Sequence, residues 1–500
     1  MIKVLSVDNM RKSDAFTIAN YIPSKELMFR AGKGVFESVN WKAPVAIVCG
    51  SGNNAGDGYV IAKLLKDSDI DCEIILLSEK FSEDGLYYYS ICKEEGIPSN
   101  TWDPTINLSE FAMIVDCVFG TGFKGTVKGN ARDLIEAINS SGAYVVSVDI
   151  NSGLNGDNGI AELCVHSDIT VSIGGFKTGH FLNMAKDVMK EKVNCDIGID
   201  PIDKTYCLIE PEDIKDIFQK RPNYSNKGTF GYIALIGGSK KYTGAIRLAE
   251  LANAAMRSGA GVVKLAIPNA IYPMIVPNVL ESTLYPLSDN GEETVFDEKE
   301  VSELISNVKT VAFGMGIGTS DGASKILEYL LDQFSGKLIV DANGLTLLSK
   351  FGKDKFVHSK CSLVLMPHIK EFSRLAGREI DDILNDPVIT AEEYAKQNHV
   401  VLLLKGPTTI ITDGYMTYLV DAGCAGMATA GSGDVLSGIL SAVLAYSPDV
   451  LLGTATAAYI NGKAGELAQE RMGSVSMVAS DTVACVQSVV SMLEGVKKSE

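Results

Sequence analysis

From residue 43 to residue 175, short hydrophobic runs alternate with amphipathic segments. The runs are apolar along most of their length, which is typical of parallel strands buried on both faces. The segments between them carry apolar residues at helical spacing, as at Val60, Ile61, Leu64 and Leu65. This alternation predicts a parallel sheet covered by helices on both faces. The predicted strands are 43–50, 72–78, 111–120, 143–150 and 167–175, and the predicted helices are 58–67, 84–96 and 130–142.

A charged segment that contains Pro211 and Pro222 interrupts the alternation at residues 208–231. We place a domain boundary in this segment, which gives predicted domains 1–213 and 214–500. A second α/β series follows, and the two halves share no sequence repeat. Its predicted strands are 231–239, 261–268, 310–318, 337–344, 362–368 and 400–406, and its first predicted helix is 244–259.

The composition excludes several classes of function. The chain has 500 residues and a net charge of −17, and no nucleic-acid partner is expected because phosphate binding needs clustered cations. No apolar run has the length of a membrane span and the N-terminus lacks a signal-peptide pattern, so we expect no membrane contact and a cytoplasmic location. The ten cysteines form no C-x-x-C pair and the five histidines form no H-E-x-x-H motif, which argues against a zinc site.

A glycine-rich loop, CGSGNNAGDGYV at residues 49–60, follows the first predicted strand. Its G-x-G-x-x-A spacing fits a dinucleotide-binding loop, which by itself is a weak signal. The loop also carries side-chain oxygens on Asn53, Asn54 and Asp57. Such oxygens suit a cation or the hydroxyl groups of a substrate better than they suit a phosphate.

Polar side chains lie at the ends of three predicted strands. Asn54, Asp116 and Ser152 each bring an oxygen to these ends, and each alone is explained as a turn or capping residue. Because ligands of open parallel sheets bind at the carboxyl edge of the strands, the three together favour a cation site. Asp149 and Lys124 form a candidate pair for general acid–base catalysis, and a structural aspartate with a surface lysine is the alternative.

Three motifs of the N-terminal half, NNAGD, GTGFKG and VDINSG, resemble the YjeF-type NAD(P)H-hydrate epimerase family. The resemblance implies a Rossmann-like fold and the interconversion of the two epimers of NAD(P)H whose nicotinamide ring has been hydrated. It implies that Asn54, Asp116 and Ser152 bind potassium and that Asp149 and Lys124 are catalytic. The residues that it implies for hydrate binding are Asn53, Asn54, Ala55, Gly56, Asp57, Gly120, Thr121, Gly122, Phe123, Gly125 and Thr126.

The sequence departs from this family at two positions. Ala55 stands where the family usually has glycine, and we expect function to survive because alanine is also small. Asn151 stands where the family usually has proline. We expect Asn151 to loosen the placement of Ser152.

The stretch TAGSGDVLSGIL places Asp434 at the start of a predicted helix. Gly431, Ser432 and Gly433 allow successive N–H groups to face one point, which together with the helix dipole favours a phosphate group. Asp434 is then either an acid of the kind favoured in a first helical turn or a general base for phosphoryl transfer.

Six motifs between residues 225 and 495 resemble the ADP/ATP-dependent NAD(P)H-hydrate dehydratase family, whose fold is ribokinase-like. They are NKGTFGYIALIGGS, GMGIG, VDANGL, LMPHIKEFSRL, LLLKGPTTII and GMATAGSGDVLSGI. The resemblance implies that ADP, or ATP in its place, phosphorylates the ring hydroxyl of the S-epimer with Mg²⁺, and that loss of phosphate restores NAD(P)H. It implies that Asp434 is the base and that Gly316 and His368 contact the hydrate. The residues that it implies for nucleotide binding are Lys405, Gly406, Pro407, Thr408, Thr409 and Gly433.

The two resemblances together predict an α/β chain with a Rossmann-like parallel-sheet domain followed by a ribokinase-like domain. They imply potassium, Mg²⁺ and an adenine nucleotide as ligands, NAD(P)H hydrates as substrates, and a homo-oligomer. Ile369 and Lys370 replace the Pro-Gly that usually follows the histidine of the dehydratase motif, so we expect His368 to be shifted. Two other functions stay open: a ribokinase-like kinase of another small molecule fused to a nucleotide-binding module, and an N-terminal domain that only binds a ligand.

Overall fold

The chain folds into two compact units. A computed structural model describes residues 1–218, 221–250, 254–352, 354–357 and 359–495. The N-terminal unit comprises residues 3–206, and the C-terminal unit comprises residues 1–2 and 207–500. The domain limits 1–213 and 214–500 stay a prediction. No helix among the described residues is long and apolar enough to cross a membrane, and the cytoplasmic location likewise stays a prediction.

Alternating strands and helices make up the N-terminal unit. Its strands are β1 Ile2–Leu5, β2 Val45–Cys49, β3 Cys72–Leu76, β4 Ser99–Thr101, β5 Met113–Cys117, β6 Tyr144–Val148, β7 Ser167–Ile173, β8 Phe176–Lys177 and β9 Met189–Cys195. Its helices are α1 Val7–Asn20, α2 Ser24–Glu37, α3 Asn53–Asp67, α4 Glu83–Glu94, α5 Asn130–Ser140 and α6 Ala185–Val188, with 3₁₀ turns at Leu108–Glu110 and Thr178–His180.

Seven of these strands form a parallel sheet in the order β4-β3-β2-β5-β6-β7-β9, and β1 pairs with β8. Every residue of the apolar strands β2 and β5 is buried. The strand order reverses between β2 and β5. In open parallel sheets such a reversal leaves a crevice at the carboxyl edge, where ligands bind.

The C-terminal unit has a larger number of elements. Its strands are β10 Tyr206–Leu208, β11 Tyr232–Ile236, β12 Val262–Pro268, β13 Thr283–Leu287, β14 Thr310–Phe313, β15 Lys337–Val340, β16 Ser362–Leu365, β17 Val401–Leu404, β18 Thr409–Thr412 and β19 Thr417–Val420. Its helices are α7 Pro211–Ile214, α8 Thr243–Glu250, α9 Ala254–Arg257, α10 Tyr272–Ile275, α11 Glu298–Ile305, α12 Asp321–Gln333, α13 Asn343–Leu348, α14 Asp354–Val357, α15 Ile369–Ala376, α16 Ile380–Asn385, α17 Pro387–Asn398, α18 Ser432–Tyr446, α19 Val450–Met472 and α20 Ala479–Leu493. Its 3₁₀ turns are Lys215–Ile217, Asn269–Ile271, Val276–Asn278 and Ala425–Met427.

The strands of this unit follow one another in the order β13-β12-β11-β14-β15-β16-β17-β18-β19-β10. The pairs β17–β18 and β18–β19 are antiparallel, and the other pairs are parallel. Helix α18 is buried from Val435 to Ala445, and it packs against β11, β14 and β15. The sheet therefore holds the first turn of α18 close to the ends of its central strands.

Every strand predicted from the hydrophobic pattern is present. The predicted helix 244–259 appears as α8 and α9, and residues 251–253 lie outside the described residues. The prediction that the helix after the glycine-rich loop begins at residue 58 was wrong. Helix α3 begins at Asn53, so the second half of the loop sequence forms its first turns. The hydrophobic pattern did not reveal that β18 is antiparallel to its neighbours.

Lys337 ties the start of β15 to the carboxyl end of α18. Its Nζ donates to the Leu444 carbonyl at 2.6 Å and to the Ser447 carbonyl, and the last carbonyls of a helix have no intrahelical partner. We expect Lys337→Met to lower the free energy of unfolding by about 1–3 kcal/mol because buried carbonyls lose a charged donor. Urea unfolding read by amide hydrogen exchange in α18 measures this loss. Equal exchange in Lys337→Met and in the exposed control Lys325→Met would contradict it.

Candidate active sites in the two units

A cavity of about 500 Å³ lies in the N-terminal unit, at residues that follow β2, β5 and β6. The predicted catalytic residue Asp149 lines it, whereas Lys124 lies outside its lining and is exposed. The predicted hydrate-binding residues in its wall are Asn53, Asn54, Asp57, Gly120, Thr121, Gly122 and Phe123. The predicted hydrate-binding residues outside its wall are Ala55, Gly56, Gly125 and Thr126.

Two of the predicted potassium ligands, Asn54 and Ser152, meet at the backbone of Phe119, and the third, Asp116, is joined to them through Ser152. Asn54 Nδ2 lies 3.2 Å from the Phe119 carbonyl oxygen and donates to it, and Ser152 Oγ lies 3.1 Å from the same oxygen. Ser152 Oγ also lies 2.5 Å from Asp116 Oδ1, and the Ser152 N–H donates to Asp116 Oδ2 at 2.9 Å. Asn54 Oδ1 is buried and has no hydrogen-bond partner. The oxygen of Asn54 fits a bound cation, which would give it a partner. The Asp116 carboxylate already accepts hydrogen bonds from Val118, Ser147 and Ser152.

Asp149 lies directly after β6 and forms an ion pair with Lys177. Its backbone is in the left-handed region, with φ of 66°, and its N–H donates to the Val171 carbonyl at 2.8 Å. Lys177 Nζ donates to Asp149 Oδ1. The Lys177 side chain is only 1% exposed. A lysine buried this deeply is normally paired, so the pair fixes the Asp149 carboxylate at the cavity wall.

Three carboxyl groups in this cavity have pKa values shifted in different directions. Burial raises the pKa of Asp57 well above its usual range, and the Asp149 carboxylate raises it further. Burial and Asp149 also raise the pKa of Asp14. Burial acts upward on Asp149 too, but the Lys177 ammonium outweighs it, so the pKa of Asp149 lies below its usual value. Neighbouring carboxyl groups whose pKa values are shifted in opposite directions are typical of sites for acid–base catalysis.

Asp434 occupies the third position of α18, and Gly431 is the N-cap, with φ of 96°. Among the described residues, the Asp434 carboxylate accepts no hydrogen bond. Burial raises the pKa of Asp434 to about 7, the Asp341 carboxylate contributes to the rise, and Lys405 opposes it. A partly buried carboxylate that titrates near neutral pH is well suited to act as a general base.

Acidic residues at the same position of other helices behave differently. Glu371 accepts the N–H of the N-cap residue of α15 at 2.9 Å, and Asp481 accepts the N-cap N–H of α20 at 2.9 Å. In α15 the bonding is reciprocal and forms a capping box, because His368 Nδ1 accepts the Glu371 N–H. Asp434 makes no such bond, so the alternative that it caps its helix lacks the contact it requires.

Asp341 and Lys405 form an ion pair beside the first turn of α18. Lys405 Nζ lies 2.8 Å from Asp341 Oδ1, and Ser437 of α18 donates to Asp341 Oδ2 at 2.9 Å. A Cβ atom at Gly433 would lie 3.4 Å from Lys405 Nζ and 3.6 Å from Asp341 Oδ2. Burial lowers the pKa of Lys405, but the carboxylates of Asp341 and Glu371 raise it more, so Lys405 stays charged.

The remaining predicted residues of the C-terminal unit lie at strand ends. His368 caps α15, because its Nδ1 accepts the N–H groups of Lys370 at 3.1 Å and Glu371 at 3.4 Å. A β-bridge joins His368 to Lys405. Gly316 is buried, with φ of 71°. The predicted nucleotide-binding residues from Lys405 to Thr409 join β17 to β18, and Thr408 Oγ1 donates to Asp421 at 2.7 Å.

Comparisons with known proteins cover both units. A family model described as YjeF-related protein N-terminus matches residues 24–179, and one described as NAD(P)H-hydrate dehydratase matches residues 233–487. The bifunctional NAD(P)H-hydrate repair enzyme Nnr of Archaeoglobus fulgidus is 33% identical, with 93% of each chain aligned. The chain belongs to this family. The enzyme of the same name from Coxiella burnetii is 29% identical, over 94% of this repair enzyme and 96% of its own length.

Solved structures match 58% of this repair enzyme. The ADP/ATP-dependent NAD(P)H-hydrate dehydratase of Bacillus subtilis, co-crystallised with ATP/Mg²⁺, is 25% identical, is covered over 99% of its length and has a TM-score of 0.51. A ribokinase-like superfamily protein of Enterococcus faecalis is 21% identical, is covered over 96% of its length and has a TM-score of 0.50. The predicted α/β fold class and both family resemblances are thereby confirmed.

Several contacts in the N-terminal unit differ from what the sequence led us to expect. Asp149 pairs with Lys177 and not with Lys124, because Lys177 is buried at the end of β8, the strand that pairs with β1, whereas Lys124 is exposed. Gly56 packs α3 closely against α2, since a Cβ there would lie 2.4 Å from Met28 Sδ. Asn151 does not loosen the chain beside Ser152, because its buried Nδ2 donates to the carbonyl oxygens of residues 165 and 188 and to the hydroxyl of residue 167.

Reasoning from the sequence missed four residues of these sites. Lys177 and Asp14 line the N-terminal cavity, and Asp341 and Glu371 surround Lys405 in the C-terminal unit. Asp341 stands in the motif VDANGL at a strand end, which is a signal that could have drawn attention to it. Lys177 and Asp14 lie outside the quoted motifs, and only the fold brings them to Asp149.

Proposed function

We propose that this repair enzyme returns both epimers of hydrated NAD(P)H to NAD(P)H, with the epimerase in residues 1–213 and the dehydratase in residues 214–500. The observation that carries the proposal is that each unit holds a carboxylate in the setting that its family motifs imply. Asp149 lines a cavity whose wall contains most of the epimerase motif residues, and Asp434, behind a glycine loop, has no hydrogen-bond partner in the part of the chain that the structure describes. The relatives that align with nearly the whole chain support the joint activity.

Epimerisation inverts the ring carbon that carries both the hydroxyl group and the ring nitrogen, so a bond to this carbon must break and form again. Asp149 is ionised and one of its oxygens is held by Lys177. The other oxygen takes up the hydroxyl proton, the C–O bond becomes a carbonyl, and the C–N bond breaks with its electron pair passing to the nitrogen. The nitrogen then attacks the opposite face of the carbonyl, and Asp149 returns the proton to the oxygen. The backbone from Gly120 to Phe123 and the side chains of Asn53 and Asp57 hold the hydrate in the cavity.

Dehydration begins when Asp434 accepts the proton of the ring hydroxyl of the S-epimer. The hydroxyl oxygen then forms a bond to the terminal phosphorus of ADP or ATP, and the bond from that phosphorus to the nucleotide breaks to release AMP or ADP. The phosphate leaves the ring with the electrons of the C–O bond, a ring proton is lost, and the double bond of NAD(P)H returns. The N–H groups at the start of α18 stabilise the phosphoryl charge.

The charges around Lys405 fit a nucleotide that arrives with Mg²⁺. The carboxylates of Asp341, Glu371 and Asp434 all act on this one lysine, and a surplus of carboxylate oxygens suits a hard divalent cation. Glu371 would hold Mg²⁺, which leaves Asp434 for the proton. Bound Mg²⁺ supplies neutralisation of the phosphate charge during transfer.

Potassium dependence of the epimerase follows from the orphaned oxygen of Asn54. We expect wild-type epimerisation to be faster in KCl than in tetramethylammonium chloride at equal ionic strength, because the larger cation does not fit between Asn54 and Ser152. Asn54→Ala removes one ligand and should raise the potassium concentration for half-maximal rate by roughly tenfold, in line with about 1–3 kcal/mol for a buried polar contact. The exposed variant Asn100→Ala is the control. An equal potassium response in both variants would contradict the site.

A repair assay tests the function as a whole. An equilibrium mixture of hydrated NADH epimers is supplied with KCl, Mg²⁺ and either ADP or ATP, and the return of absorbance at the reduced-nicotinamide band is followed. Complete recovery at one catalysed rate is expected, and the nucleotide that supports it is the co-substrate. Consumption of nucleotide with a stable phosphorylated product and no NADH would instead identify a kinase of another small molecule.

A further inference from the structure

The N-terminal cavity contains one buried cation that the family motifs do not include. Lys177 Nζ has three acceptors: Asp149 Oδ1, the Ile173 carbonyl at 2.8 Å and Ser172 Oγ at 3.4 Å. A lysine ammonium has three donors, so all of them are used within the protein. Lys177 has no donor left for a substrate, and any role it has must act through Asp149.

The two oxygens of Asp149 are used differently. Oδ1 accepts Lys177 Nζ and also the Ile173 N–H at 3.3 Å. Among the described residues, no group donates to Oδ2. Since the side chain is 16% exposed and lines the cavity, Oδ2 is the oxygen that a substrate can reach.

His180 connects the backbones of these two residues. Its Nδ1 accepts the Lys177 N–H at 3.0 Å, so its Nε2 carries the proton and donates to the Asp149 carbonyl at 2.7 Å. The imidazole ring is therefore neutral, and both of its nitrogens are hydrogen-bonded. This bridge holds Lys177 and Asp149 at a constant separation and explains why a non-glycine residue tolerates positive φ at position 149.

Burial would suppress ionisation of Asp149 if Lys177 were absent. Asp14 of α1 and Asp57 of α3 offer it no opposite charge, because the Asp149 carboxylate raises the pKa of each, and His180 is neutral. Arg11 and Asp84 also line the cavity. Lys177 is the only charged group among the described residues that forms an ion pair with Asp149.

We propose that Lys177 is a positioning residue of the epimerase site, which keeps Asp149 ionised and fixes Oδ1 so that Oδ2 faces the ring hydroxyl of the hydrate. This rests on the proposed epimerase function. In the step concerned, the O–H bond of the hydroxyl breaks and the proton binds Oδ2, while the carbonyl forms and the ring C–N bond breaks with its electron pair on the nitrogen. The nitrogen closes the ring on the opposite carbonyl face, and Oδ2 returns the proton to the oxygen. Asp149 is the base, and Lys177 touches only Asp149 and the backbone and hydroxyl groups behind it.

The test compares Lys177→Met and Lys177→Arg with wild type in R-to-S epimerisation at several pH values. Lys177→Met should lower kcat about 10²-fold or more at pH 7 with little change in KM, since acid–base catalysis contributes about 10²–10⁴-fold. Its rate should recover as pH rises, because Asp149 without Lys177 ionises only at higher pH. Lys177→Arg keeps the positive charge. The pH below which its epimerisation rate declines should therefore equal that of wild type, even if its maximal rate is lower.

Three controls keep the outcomes distinct. Lys190→Met removes a lysine from the exposed pair with Asp168 and should leave epimerisation unchanged. Amide hydrogen exchange in β6 and β7 reports whether the N-terminal unit of each variant is folded, since the dehydratase residues belong to the other compact unit. If no variant folds, the wild-type profile itself decides, because a paired Asp149 predicts a rate that stays flat from pH 8 down to pH 5.

Two results would overturn the positioning role. One is a Lys177→Met variant whose rate and pH profile match wild type, and the other is a loss of rate that no increase in pH restores. A wild-type epimerisation rate that already declines near neutral pH as the pH is lowered would also overturn it. Wild-type protein that does not accelerate epimerisation at all would instead contradict the proposed function, which is a separate result.

Discussion

Asp434→Asn should abolish dehydration of the S-epimer, with a loss of about 10²- to 10⁴-fold in kcat/KM, the contribution of a general base. The amide keeps the shape of the side chain and the helix but cannot accept the hydroxyl proton. Folding should not suffer, because the carboxylate makes no hydrogen bond among the described residues and is repelled by Asp341. Initial rates of NADH return from pure S-epimer with ADP and Mg²⁺ measure the effect.

The pH dependence of wild-type dehydration gives an independent check on the same residue. The active form of a base is the deprotonated one. With the pKa of Asp434 at about 7, kcat/KM should fall below pH 7 and level off above it. Asp481→Asn is the matched control, since Asp481 occupies the same helical position but caps its helix. It should lower stability and leave the rate intact. Near-normal dehydration by Asp434→Asn would remove the base from the mechanism.

Asp149→Asn should lower the rate of epimerisation by a similar factor, about 10²- to 10⁴-fold. Dehydration of the S-epimer should stay unchanged. Asparagine is the suitable replacement because it tolerates the left-handed backbone at this position. Its amide oxygen can still accept a hydrogen bond from Lys177, so the buried ammonium keeps a partner. An equilibrium mixture of epimers supplied to this variant should give a fast phase equal to the S-epimer share, followed by the spontaneous rate.

The matched control for Asp149→Asn is Asp67→Asn, which alters an exposed pair with Lys63 in the same unit. Exposed pairs contribute about 0–1 kcal/mol, so this variant should repair the mixture as wild type does. A single fast phase in Asp149→Asn would show that another group accepts the proton. A loss of dehydration as well would show that the substitution acts on the whole chain.

The hydrophobic pattern located the strands that carry the sites because buried parallel strands leave an unbroken apolar run. The same pattern predicts Asn54, Asp116 and Ser152 at strand ends, and in the structure Asn54 and Ser152 contact the Phe119 carbonyl while Asp116 contacts Ser152. Asp434 was found because a glycine loop before a helix is a local signal. In each case the information lies within a few consecutive residues.

The partners of these residues could not be found in the same way. Lys177 reaches Asp149 from another strand, whereas the sequence suggests Lys124 because it lies in the loop GTGFKG that follows a predicted strand. The effect of Asn151 was misjudged because a lone asparagine gives no sign of its buried acceptors. Ion pairs and buried hydrogen bonds depend on the packing of distant segments, and one sequence does not record which of them meet.

The most direct test of the bifunctional repair function starts from pure R-epimer of hydrated NADH. Supplied with KCl, Mg²⁺ and the active nucleotide, the wild-type chain should return all of it as NADH, far faster than spontaneous epimerisation allows. This requires both sites in one preparation, because the R-epimer must be inverted before it can be phosphorylated. Recovery limited to the spontaneous rate, in a preparation that dehydrates pure S-epimer rapidly, would contradict the epimerase and with it the bifunctional repair function.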